Sequence, residues 1–138
     1  MIYGGGTWID TPSLGGVLFI AKMGRGNVWY ENSDLHAQSG AYEWIVYDPR
    51  DLAAVAGGKK KQWQIQPKNE WTDDTLPLAE EDRKGWSGVG VGQVNGATFD
   101  PKAGCLYVLA TGVWKGEVES YPVLYVYRVG PARKGPTP

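Results

Sequence analysis

The chain has 138 residues, a mass of 15.1 kDa, a formal net charge of -1 and a pI near 5.8. That length suits one domain burying roughly two thirds of its unfolded surface, and the near-neutral charge excludes an overall electrostatic drive toward nucleic acid or anionic lipid. Neither a nucleic-acid nor a membrane partner is expected, because no apolar run approaches the ~18 residues of a spanning helix.

Twenty Gly and nine Pro fit many tight turns between short strands. Met1 to Gly5 lacks the basic start and apolar centre of a signal peptide, and strand-like sequence follows almost at once. Thr7 to Asp10 and Val17 to Met23 predict a first hairpin around Thr11-Pro12-Ser13-Leu14-Gly15. Both faces of the second strand are apolar, as in a covered sheet. Gly24 to Tyr42 is polar and glycine-punctuated apart from Val28-Trp29-Tyr30, which reads as a long loop; long loops carry function more often than filler. Glu43 to Tyr47 is the next strand. Asp48, Pro49 and Asp51 then spell a helix start, Leu52 to Ala56 supply about two turns, and Gly57-Gly58 close them. Lys59-Lys60-Lys61 offsets the helix dipole.

Gln62 to Gln66 alternates apolar and polar residues and predicts an exposed outer strand ended by Pro67. Thr72 to Gly85 is acidic and turn-rich, a surface excursion. Gly88, Gly90 and Gly92 lack the Lys-Ser/Thr of a phosphate loop and suit close passage of the backbone by a neighbour or an axis, and with Gly4, Gly5 and Gly6 they suit close backbone packing toward the axis of a ring. Val94 to Ala110 and Val123 to Val129 supply the last strands, and residues 131–138 a frayed Pro/Gly/Lys tail. The total is seven or eight strands and one short helix: an all-β chain with a helical insertion.

Two stretches ninety residues apart read as one template. Gly6-Thr7-Trp8-Ile9-Asp10 parallels Gly96-Ala97-Thr98-Phe99-Asp100, a proline turn follows each, and Gly16-Val17-Leu18-Phe19-Ile20 parallels Gly104-Cys105-Leu106-Tyr107-Val108. An internal repeat of a hairpin signals stacked or radial β architecture. Residues 96–108 resemble the inner hairpin of a β-propeller blade, and residues 42–52 and 123–129 resemble third strands. Together these cover about half the chain and are similar to C-terminal blades of large bacterial propeller proteins. The resemblance implies about two four-stranded blades, built from units at about 6–66 and 94–129 within one domain, 1–130. It weakly implies an extracytoplasmic setting, and it carries a fold without an activity. A propeller needs at least four blades, so the chain is either the end of a longer protein or one of several copies closing a ring. A compact β-sandwich with the two hairpins face to face is the alternative.

Seven Trp and eight Tyr stand against two Phe; rings with polar tips favour half-wet interfaces and ligand sites. The one histidine, His36, falls with Trp29, Tyr30, Asn32 and Asp34 in the densest polar-aromatic cluster. These five residues form the candidate ligand site, rings stacking on an apolar face while Asn32, Asp34 and His36 bond hydroxyls; a loop capped by its own side chains is the other reading. Trp29 is expected to carry ligand and Trp8 stability. Cys105, the single cysteine, reads as a small core residue. No metal, cofactor or catalytic set is expected, since one His and one Cys cannot complete a zinc site or a serine triad. A non-enzymatic carbohydrate-binding module is the leading function. A structural protein that self-associates through β-edges and a sugar-acting hydrolase using Asp34 with Glu43, or Glu70 with Asp73, are the alternatives.

Overall fold

The computed structural model describes residues 2–12, 14–31, 34–73, 76, 86–87, 93–115 and 120–130. Among these described residues, eight strands and one α-helix follow in chain order: β1 (Ile2–Ile9), β2 (Gly16–Glu31), β3 (Asp34–Tyr47), α1 (Pro49–Ala56), β4 (Asn69–Asp73), β5 (Trp86–Ser87), β6 (Gln93–Asp100), β7 (Cys105–Lys115) and β8 (Ser120–Arg128). They build two antiparallel sheets that do not close into a barrel. The first has the order β1-β2-β3-β4, with β5 pairing the distal part of β3; the second has the order β6-β7-β8.

The sheets face each other across one apolar core. From the first sheet come Ile9, Leu18, Ile20, Tyr42, Trp44 and Val46; from the second come Val94, Leu106 and Val108, with Ala97, Phe99, Tyr125 and Tyr127 packed around them. The positions alternate because successive strand side chains point to opposite faces. Ile9 and Phe99, equivalent in the sequence template, both meet this core. Cys105 falls out of it: Leu106 and Val108 take the core face, so Cys105 is only half-buried, its thiol 3.5 Å from the carbonyl of Ala103. The same alternation puts Ile9 inside and leaves Trp8 exposed, which moves the expected structural role of Trp8 to its neighbour.

Where the sheets come closest, backbone meets backbone. Each facing strand carries an irregularity, between Tyr3 and Gly5 in β1 and between Val94 and Gly96 in β6. A β-carbon at Gly4 would stand 1.9 Å from the carbonyl oxygen of Val94, and one at Gly5 would stand 3.0 Å from the carbonyl carbon of Gly96. The close backbone packing at Gly4 and Gly5, expected toward an axis, is made against β6 of the same chain.

The hairpins of the template close differently. Gly6 pairs with Phe19, whereas Gly96 pairs with Leu109, two residues beyond the position that the sequence parallel indicates. The tighter turn of 101–104, with Gly104 at φ +62° and Asp100 accepting from the amides of Lys102 and Ala103, accounts for the shift.

Two segments differ from expectation. Gly24 to Tyr42 is a long hairpin instead of a loop: β2 and β3 stay paired from Val17↔Tyr47 out to Glu31↔Asp34. The ladder itself holds these polar residues extended, with a bulge between Arg25 and Val28 absorbing an extra residue. Gln62 to Gln64 is a 3-10 turn instead of an outer strand. The Lys61 amide donates to Oε1 of Gln64 at 2.7 Å, and the Gln64 amide returns to the Lys61 carbonyl at 2.9 Å, so local bonds outcompete the alternation. The edge strand forms later, at Asn69–Asp73.

Helix α1 follows its sequence signals. Asp48 accepts from the Arg50 amide at 2.8 Å, Pro49 opens the first turn, and Gly57 closes the last by donating to the Ala53 carbonyl. Asp51 and Lys60 form an ion pair at 2.6 Å. Among the described residues, no helix is long and apolar enough to cross a membrane. The Gly88–Gly92 run and the tail 131–138 lie outside the described residues.

Candidate functional site

A cleft of about 340 Å³ opens between the two sheets. Its first wall comes from β1, β2, β3 and β4, through Ile9, Leu18, Trp44, Trp71 and Asp73; its second comes from Leu106 on β7 and the end of β8, Tyr127 to Gly130. Leu14, in the turn between β1 and β2, completes the lining, its amide held by the Thr11 hydroxyl at 3.0 Å.

Register explains how the aromatic residues meet. Trp44 and Trp71 are direct cross-strand partners on β3 and β4, and their rings stack with centroids 5.8 Å apart and planes 23° from parallel. Tyr127 arrives from the opposite sheet and meets Trp44 edge-on, 5.1 Å between centroids at 78°. Trp44 is 3% exposed, and its indole Nε1 is buried without a hydrogen-bond partner. An unpartnered buried donor costs about 1–3 kcal/mol. Trp71, on the edge strand, keeps 38% of its surface exposed.

The polar side of the lining comes from β4. Asp73 pairs with Tyr42, itself the partner of Lys22, so Lys22, Tyr42 and Asp73 form one row across three strands on the core face. Lys22 is almost completely buried there. Arg128 pairs with Cys105 and shares its outward face, so the cleft meets the β8 end chiefly through Tyr127 and Val129.

The opposite face of the same strands holds a second polar group. Glu43 and Glu70 are diagonal neighbours on β3 and β4, with Thr72 directly across from Glu43. Arg25 of β2 donates to the Thr72 hydroxyl at 2.5 Å. Burial, then a hydrogen bond that the protonated Glu43 carboxyl donates to Glu70 and the charge of Glu70, push the Glu43 carboxyl above its ordinary range; Arg25 opposes them.

The five residues singled out from sequence lie elsewhere, on the distal arm of the β2–β3 hairpin. Trp29 and Tyr30 are exposed on β2, Tyr30 by 78%. Trp29 pairs with His36 and Tyr30 with Leu35, so Trp29 and His36 share a register position. Asp34 begins β3 and pairs with Glu31; Asn32 lies outside the described residues. The backbone thus brings Trp29 and His36 together and places Tyr30 on the other face of the arm.

Neither carboxylate pair considered from sequence is assembled. Asp34 and Glu43 are nine positions apart on one strand, roughly 30 Å at strand rise. Glu70 and Asp73 sit on opposite faces of β4. Among the described residues, no group of three or more His, Cys, Asp or Glu side chains is placed to hold a metal ion. The cleft residues Trp44, Trp71 and Tyr127 are not among those singled out from sequence; the surplus of Trp and Tyr was their only trace.

No protein-family model, curated protein or solved structure matches the chain.

Proposed function

We propose that the chain is a non-enzymatic binding module whose ligand is a carbohydrate, taken in the cleft between the sheets. The observation that carries this is the cleft's lining: stacked Trp44 and Trp71, the edge of Tyr127, a carboxylate at Asp73 and an indole donor lacking a partner. Ligand pockets commonly enclose about 300–1,000 Å³ and combine apolar walls with a few polar groups. Sugars match that mixture, since their C–H faces stack on aromatic rings while their hydroxyls donate to carboxylates and accept from N–H groups. A hydrolytic role has weaker support, because neither Asp34 with Glu43 nor Glu70 with Asp73 is brought to the separation that a pair of catalytic carboxylates requires.

Titration of a glycan panel, followed by Trp fluorescence and NMR, tests the reading. Trp71→Ala is expected to weaken sugar binding by about tenfold, ~1.4 kcal/mol, without unfolding the protein. Trp29→Ala is the comparison, and the larger loss there would move the site to the hairpin arm. Absence of binding by every sugar class at millimolar concentration removes the proposal.

Self-association is the second reading, favoured by the outer face of the second sheet, where Leu109, Leu124 and Val126 are exposed and β8 forms an edge. A propeller-like ring is its finer form, with that face stacking on the first sheet of the next copy. Mass by light scattering decides it: a ring of three copies gives three times 15.1 kDa, and a constant 15.1 kDa up to millimolar concentration retires it.

A further inference from the structure

Edge strand β4 joins the two polar features of the first sheet. Its five residues, Asn69 to Asp73, pair with β3 only between Tyr42 and Val46. One face carries Trp71 and Asp73, which line the cleft; the other carries Glu70 and Thr72, which meet Glu43 and Arg25. So short an edge strand is held by a few backbone bonds and by its cross-strand side-chain pairs.

The carboxyl cluster is built for a proton. Glu43 is 9% exposed, and its Oε2 is buried with no hydrogen-bond partner. Among the described residues, the charged groups facing it are Glu70 from β4 and Arg25 from β2. Directly opposite on β2 is Ala21, which brings no charge, and Lys22 projects to the other face. With one proton shared, Glu43 and Glu70 are joined by a hydrogen bond across β3 and β4. With none, two carboxylates meet at the same place, one of them poorly solvated, and Arg25 offsets only part of the repulsion.

We propose that Glu43 and Glu70 form a proton-operated latch that fastens β4, and with it the Trp71 wall of the cleft, in acid and loosens it as the pair ionises. The latch regulates the cleft assigned above, so its effect on a ligand rests on that reading; the movement of β4 does not. The folded state binds the Glu43 proton more tightly than the unfolded chain does. The stabilisation is therefore complete below the ordinary carboxyl value of 4.5 and is lost as pH rises through the elevated one.

Native-state amide exchange of the ligand-free protein tests the latch, measured from about pH 4.5 to about pH 7.5 and corrected for intrinsic base catalysis. The β4 amides are expected to open about tenfold more often for each unit by which the pair's affinity for the proton is raised, while amides of β7 stay constant. Glu70→Gln, at an exposed position, is expected to hold β4 closed across the range, and Glu43→Gln to do the same. Arg25→Gln should move the transition to higher pH. Wild-type β4 exchange that stays flat with pH overturns the proposal, as does acceleration of unchanged size in Glu70→Gln. A failed glycan panel alongside a working latch would sink the binding reading alone.

Discussion

Gly4→Ala tests the seam between the sheets. The added methyl would stand 1.9 Å from the Val94 carbonyl oxygen, 2.9 Å from its carbonyl carbon and 3.1 Å from its β-carbon. A carbon and an oxygen in ordinary contact are more than 3 Å apart, so β1 and β6 must separate by about 1 Å or more at the point where their backbones touch. Both obstacles nearest the methyl are main chain, and neither can rotate away as a side-chain tip would. Overpacking a well-filled interior costs about 1–3 kcal/mol, occasionally more, and this geometry places Gly4→Ala at the top, about 3 kcal/mol. In a chain of this size that corresponds to a fall in Tm of roughly 10 °C. Gly5→Ala meets its nearest atom at 3.0 Å and is expected to cost about 1 kcal/mol. Gly96→Ala meets nothing within 4 Å and is expected to stay within about 0.5 kcal/mol of wild type. Urea denaturation of the three variants reads the order directly. A Gly4→Ala protein within about 0.5 kcal/mol of wild type would refute the backbone-to-backbone seam.

Two further outcomes follow from burial and charge. Leu106→Ala, in the core, is expected to cost about 2–5 kcal/mol in denaturation, whereas Leu124→Ala on the exposed face of β8 should cost under about 0.5 kcal/mol. Arg50 holds the Asp48 carboxyl at about 2, below its ordinary 3.8; this stabilisation is complete above 3.8 and lost as pH falls toward 2. Amide exchange in α1 should therefore accelerate in that acid window in wild type but not in Asp48→Asn.

Local signals were legible and tertiary ones were not. The helix could be placed because Asp48, Pro49 and Gly57 each act through bonds to residues within four positions. The first hairpin and Val94 to Ala110 were visible because their apolar residues alternate around proline turns, and the crowding at Gly4 and Gly5 was readable as a need for residues without a side chain. The arm of β2 and β3 is not legible in the sequence because no apolar alternation marks it; the pairing of each strand with the other makes the strand. β4 lacks such a mark for the same reason, and Gln62–Gln66 carries one without forming a strand, because Gln64 satisfies the backbone at Lys61 locally. The cleft depends on Trp44, Trp71 and Tyr127 being in register across two sheets. A count of aromatic residues points to some such site but cannot say which rings share a face.

The division of strands between the sheets has a consequence for how copies of the chain can combine. Among the described residues, β1 to β5 all belong to the first sheet and β6 to β8 to the second, with no strand crossing over. Each half therefore presents a complementary surface whichever molecule supplies the other, and only residues 88–92, between β5 and β6, tie the halves covalently. Exchanging second sheets between two molecules would rebuild every core contact and both glycine seams unchanged. Monomer and exchanged dimer would then differ mainly in the path of that tie and in the entropy of association, so concentration and the length of the tie, residues 88–92, become the variables that choose between them.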